Sequence, residues 1–223
     1  VRPGRPIRPF FSNAHRCSGD LMRLARVAIV AATAILITLC TLMFNLQHLS
    51  RTIGFDEAYY YSWVDNWENN PIYYPHHLLF GPVSVGFQDA FTKITGITNT
   101  AFIQRFKNSF VYAAGLGVFF VLFYAGSRRF FLALIAALLI GVSGALWSDS
   151  MHHESATIPA ILVNLAMASL LFYKRLEHPI PLIIIYSVLL AVAILLHQMY
   201  VLALIVGVIT FMATRARGEP RLR

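Results

Sequence analysis

The chain has 223 residues, of which 57% are apolar and only 13% charged, with a formal net charge of +8. Long, nearly uncharged apolar runs in such a composition exclude an ordinary soluble globule and a disordered chain, and place the protein in the integral-membrane class. The positive charge sits in tails and short connectors rather than on one face, so no nucleic acid is expected as a partner.

Residues 1–26 carry six Arg, three Pro and one acid, Asp20. They read as a disordered basic tail against anionic headgroups. Val1 is what either an alternative start codon or a fragment would give. Cys17 and Cys40 are the only cysteines, one in the tail and one inside an apolar run, so no disulfide is expected. The first span is expected over about residues 27–46, close to the ~20 residues that a hydrocarbon core needs. A long polar interval, residues 47–108, follows. Further spans are expected over about residues 109–125, 130–147 and 158–173, with a polar tip, SDSMHHESAT, after the third.

The last apolar run, about residues 180–214, would form a single helix of about 52 Å, well beyond a ~30 Å core. It is therefore divided into two short spans meeting at His197–Gln198. With six spans, one side collects 14 basic residues and three acids, and the other collects Arg51, Lys93, Arg105 and Lys107 with seven acids. The excess of Lys and Arg predicts that both termini are cytoplasmic, in an inner (plasma) membrane, with the active face periplasmic or extracellular. The expected fold is thus an all-α polytopic membrane helix bundle of about six transmembrane helices. Its parts are a basic tail over 1–26, a bundle over 27–214 with outer loop 47–108, and a basic tail over 215–223.

In the outer loop, Phe55, Tyr59, Trp63 and Trp67 recur at the four-residue spacing of one helix face, and Val83, Phe87, Phe91 and Ile94 form a second stripe. Two interfacial helices are expected, aromatic side toward lipid or bundle and polar side toward water. Asp56 and Glu57 open the first of them. A carboxylate there is either a first-turn charge held by the helix dipole or a general base beside a substrate hydroxyl. His76 and His77, and His152, His153 and Glu154, are of the types that close a divalent metal site, hold an anionic substrate or cap a loop tip. Adjacent histidines on a helix point about 100° apart, so one of each pair at most faces a shared ligand. His197 lies alone between apolar segments, where an ionisable side chain is a functional candidate or a satisfied polar group. Arg105 and Lys107, expected at the outer mouth of the second span, suit a phosphate or ordinary snorkelling. The sequence shows no phosphate-cradling Gly loop, nucleophile elbow, HExxH or Cys-based zinc pattern.

Several short motifs stand out together. They are Phe55-Asp56-Glu57-Ala58-Tyr59 soon after the first span, Tyr74-Pro75-His76-His77-Leu78-Leu79-Phe80-Gly81-Pro82 leading into the second stripe, and Arg105 before the second span. The stretch YAGSRRF from Tyr124 to Phe130 and the polar tip after the third span complete the set. Over about residues 50–212 the chain resembles the C-type polytopic membrane glycosyltransferases of the protein-mannosyltransferase and lipid-A-sugar-transferase-like group. The resemblance implies a polyprenyl-phosphate-linked sugar as donor, membrane lipid as partner, and inverting transfer to an acceptor hydroxyl. It implies Asp56 as the base, Glu57 as the residue that orients the site or a divalent ion, and Arg105, Lys107, His76, His77, His153, Glu154 and His197 as substrate contacts. Members of that group carry more spans and often an outer domain, so it also implies an N-terminal portion. The alternative from a different class is a non-enzymatic permease or cation-binding bundle.

Overall fold

The computed structural model describes residues 12–50, 55–69, 77–152, 155–175 and 180–216. Among these residues the chain is helical with no strand. The helices are α1 (Ser12–Gln47), α2 (Phe55–Asp65), α3 (Phe80–Thr95), α4 (Thr100–Ser127), α5 (Phe130–Gly141), α6 (Gly144–Met151), α7 (Thr157–Ser169), α8 (Ile180–Leu196) and α9 (Val201–Ala216), with 3₁₀ turns at Leu170–Arg175 and Gln198–Tyr200.

Helix α4 is the axis of the bundle, and small residues make it so. A Cβ at Gly115 would collide with Ile161 of α7, one at Gly126 with Leu171, and one at Gly117 with the Thr38 hydroxyl of α1. Backbones approach closely at such positions, which is how helices gain contact where hydrophobic burial alone does not drive them together. Phe119 and Phe120 then pack with Val30, Ala133, Ala137 and Ala168, and Tyr112 with Leu116 and Ile161.

These contacts also set direction. Along α1 and α4, Asn45 and Ser109 both reach Ser150, and lower down Ala34 and Thr38 face Gly117, so the two helices are antiparallel. α5 returns along α4, with Phe130 against Phe120 and Tyr112 bonded to the carbonyls of Ile140 and Gly141. α7 descends beside α4, and α8 rises again until Leu195 and Leu196 meet the segment before α3. A Cβ at Gly207 would strike the Tyr186 hydroxyl, so α9 folds back along α8 about His197. The division of the last apolar run at His197–Gln198 is what the structure has. No glycine or proline is required there: His197 is extended (φ −157°), and its Nδ1 accepts the Met199 N–H at 3.4 Å.

Other expectations are corrected. Residues 12–26, expected as disordered tail, are the first turns of α1, and residues 215–216 close α9. α4 begins at Thr100 rather than near residue 109, because Asn99 caps it by accepting the Phe102 N–H at 2.9 Å. The third run is broken at Val142–Ser143 into α5 and α6, where Tyr112 takes up the last carbonyls of α5. Two helices, Met22–Gln47 and Thr100–Ser127, are long and apolar enough to cross a membrane, and the remaining apolar helices have 10–17 residues.

Both outer-loop helices form, but the polar side expected toward water is partly inside, with Glu57 of α2 and Ser84 of α3 buried. In α2 the buried side is Glu57, Tyr61, Val64 and Trp63, while Tyr59 is 50% and Trp67 40% exposed. In α3 it is Phe80, Gly81, Ser84 and Val85, while Val83 and Ile94 face outward. Aromatic periodicity alone missed this because the inward faces are held by polar contacts as well as packing.

The Gly117 contact is testable. Gly117→Leu is expected to cost about 1–3 kcal/mol through overpacking against α1. Gly86→Ala, where a Cβ meets nothing within 4 Å, is expected to cost none. Thermal unfolding of the detergent-solubilised variants checks the contrast, and equal behaviour would contradict the α1–α4 packing.

Candidate functional site

Five separate stretches meet at one end of the bundle: the end of α1, helix α2, the first turns of α4, the end of α6 and the α8–α9 turn. What joins them is a polar layer at the helix ends. Asn45, Glu57, Ser84, Gln104, Lys107, Asn108, Ser109, Ser150 and Thr157 are each at most 1% exposed. Buried polar groups require partners, and for most of this layer the partners come from distant segments; the Thr157 hydroxyl has none among the described residues.

The centre of the layer is Glu57. Arg105 Nη2 donates to its Oε2 at 3.0 Å and Arg105 Nε to Oε1 at 3.3 Å, and the Tyr61 hydroxyl, one turn along α2, donates to Oε1 at 3.1 Å. The His152 Nδ1, from the end of α6, lies 3.4 Å from Oε2. Arg105 also donates to the Ser50 carbonyl beyond α1. Burial, reinforced by the adjacent carboxylate, pushes the Tyr61 phenol above its ordinary range, so it remains a donor. His152 is placed from behind: Asn108 donates to its carbonyl at 2.8 Å, Ser109 to the Ser150 carbonyl at 2.8 Å, and Asn45 to the Ser150 hydroxyl at 3.0 Å.

A second group adjoins the first. The His77 ring packs edge-on to His197 with centroids 4.6 Å apart, and His77 Nδ1 donates to the Leu196 carbonyl at 3.2 Å. The Leu79 N–H donates to the Leu195 carbonyl at 3.0 Å, so the chain entering α3 is tied to the tip of α8. Burial moves His197 below its usual imidazole range, opposed in part by its own backbone hydrogen bond. Tyr60 and Phe80 bridge the two groups, Tyr60 facing His77 and Phe80. Lys107 lies beneath Phe80, its ammonium 4.9 Å from the ring centroid, and donates to the Ser84 hydroxyl at 2.8 Å.

Of the expected site residues, the structure therefore joins Glu57 with Arg105 and His77 with His197. Arg105 and Lys107 are not at an exposed mouth: they are 8% and 1% exposed, inside the first turns of α4. Arg105 is committed to Glu57, whereas Lys107 has no carboxylate at ion-pair distance among the described residues. The Asp56 side chain, and His76, His153 and Glu154, lie outside the described residues. Residues not singled out from sequence are Tyr61, Ser84, Gln104 and Asn108, whereas His152 was, as a neighbour of His153 and Glu154. For Gln104 and Asn108 the signal was the largely polar set from Gln104 to Ser109 running into an apolar run, which is the pattern of a buried polar helix end rather than of a loop.

Beside Arg105 a cleft of about 380 Å³ opens between the end of α1 and the start of α4, with Leu46, Leu49 and Phe102 as apolar walls and Ser50, Asn99 and Arg105 as polar ones. Among the described residues, no group of three or more His, Cys, Asp or Glu is arranged to hold a metal ion. No family model, curated protein or solved structure matches this chain.

The two cations are expected to behave oppositely on substitution. Arg105→Gln strands a buried carboxylate and should cost about 3–5 kcal/mol. Lys107→Met removes a buried charge that has no described counter-ion and should leave stability unchanged or raise it. Denaturant unfolding in detergent measures both, and a larger loss for Lys107→Met would overturn the assignment.

Proposed function

We propose that the chain is a membrane-embedded glycosyltransferase, or the N-terminal portion of one, that moves a sugar from a polyprenyl-phosphate donor to an acceptor hydroxyl. The observation that carries this reading is the meeting of Glu57, Arg105, His152, His77 and His197 at one end of a bundle, beside a cleft that combines apolar walls with a guanidinium. An amphiphilic lipid phosphate needs that combination: apolar surface for its chain and a cation for its headgroup.

The bundle's flanks support a lipid setting. Leu24, Ile35, Leu39, Phe131, Leu139 and Ile209 are all more than half exposed, which is costly in water and favourable in hydrocarbon. Six passes follow from counting α5 with α6 as one, and the positive connectors then share the side of the termini, the cytoplasmic side. The converging groups lie at the other end, the periplasmic or extracellular one.

In the proposed step the acceptor oxygen attacks the anomeric carbon while the bond from that carbon to the phosphate oxygen breaks, inverting the configuration. Asp56, in the first turn of α2 and next to the anchored Glu57, takes the hydroxyl proton. Glu57 acts by holding α2, and with it Asp56, against α4. Departing negative charge is met by Arg105 at the cleft wall and by the histidines of the same end.

Asp56→Asn should lower transfer from a polyprenyl-phosphate sugar by about 10²-fold or more in proteoliposomes, with insertion into the bilayer unchanged. Undiminished transfer by that variant would defeat the proposal.

A further inference from the structure

The contact between Glu57 and His152 has a use beyond fixing the fold. Glu57 is 1% exposed and its orientation is fixed by Arg105 and Tyr61, while the His152 side chain is 27% exposed. A carboxylate fixed on one imidazole nitrogen selects the tautomer with the proton on that nitrogen, and leaves the other as a lone pair. Here Nδ1 lies 3.4 Å from Glu57 Oε2, within ion-pair reach, and a proton held on that nitrogen leaves Nε2, on the opposite edge of the ring, as the acceptor. The backbone of His152 is separately fixed, because its carbonyl accepts from Asn108 and its N–H donates to the Asp149 carbonyl at 3.3 Å. An oriented base, a buried carboxylate orienting it and further groups holding that carboxylate make up the arrangement used for proton transfer.

We propose that Glu57 and His152 form a carboxylate–imidazole dyad, and that His152 is a proton-transfer residue of this site. The inference rests on the glycosyl-transfer reading. As the acceptor oxygen bonds to the anomeric carbon and the phosphate departs with the electron pair of the broken bond, the hydroxyl proton goes to Asp56. His152 Nε2 then takes up the proton through water and releases it to the bulk, so that the base is ionised again for the next turnover. Glu57 stays ionised throughout and stabilises the transient imidazolium; no oxidant, reductant or further reactant is involved.

Two measurements on the full chain in proteoliposomes test this. In the first, His152→Ala should lower turnover by about 10²-fold, and added imidazole should restore much of it, while Asp56→Asn is not restored. Wild-type turnover by His152→Ala, or a loss that imidazole does not repair in protein that still inserts, would overturn the proton-transfer role. The second measurement needs no transfer activity. Diethyl pyrocarbonate should acylate His152, as read by peptide mass spectrometry, and the double variant Glu57→Gln with Arg105→Gln, which strands neither charge, should slow that acylation several-fold. An unchanged rate in the double variant would overturn the dyad. Transfer absent from wild type together with slowed acylation would defeat the glycosyl-transfer reading and leave the dyad standing.

Discussion

The buried ion pair between Glu57 and Arg105 is the constraint on which the polar end of this bundle depends. Two charges removed from water cost several kcal/mol each, and their attraction offsets this only when geometry is good and the remaining hydrogen-bonding capacity is filled. Here it is filled by Tyr61 and by the Ser50 carbonyl, with the His152 imidazole at ion-pair distance. Each partner comes from a different element, so the pair can be satisfied only when α2, α4, the end of α1 and the end of α6 are all in place. Such a pair adds little net stability over an apolar core, but it makes wrong arrangements expensive. That specificity is what a site assembled from distant segments needs.

Around this pair the usual distribution of polarity is reversed. Side chains such as Asn45, Gln104, Lys107 and Asn108 are inside, and large aliphatic side chains of α1, α5, α8 and α9 are outside. Close packing between helices then comes from Gly115, Gly117 and Gly126 on α4 together with the buried Tyr112, Leu116, Phe119 and Phe120. The two devices work together: glycines let α1 and α7 approach α4 along its length, and hydrogen bonds lock their upper ends. His197 and His77 extend the same logic to the α8–α9 hairpin, linking its tip to the segment that leads into α3.

Much of this was legible in the sequence. Long apolar runs gave the helices, and the excess length of the last run gave the turn at His197, because a helix of that length would overrun a hydrocarbon core. That Glu57, Arg105, His77 and His197 would lie at one end followed from charge and span counting. The partners within that end were not legible. Arg105 read as a cation at an open mouth because its polar neighbours suggested a loop, whereas Asn99 caps the helix several residues earlier and takes Arg105 inside. The inward turn of Glu57 and Ser84 was missed for a related reason: aromatic spacing reports a stripe, but not what these polar residues bond to across the bundle. The break between α5 and α6 has no local proline; it comes from the Tyr112 hydroxyl of a neighbouring helix.

The central claim is that segments remote in the polypeptide gather on one side of a membrane. Single cysteines in a Cys17→Ser, Cys40→Ser background measure it most directly, placed at Tyr59, Met199 and Arg129, all exposed. An impermeant maleimide should label positions 59 and 199 in intact cells, and position 129 only after permeabilisation. Labelling of positions 59 and 199 from opposite sides, or of position 129 together with them, would contradict the account.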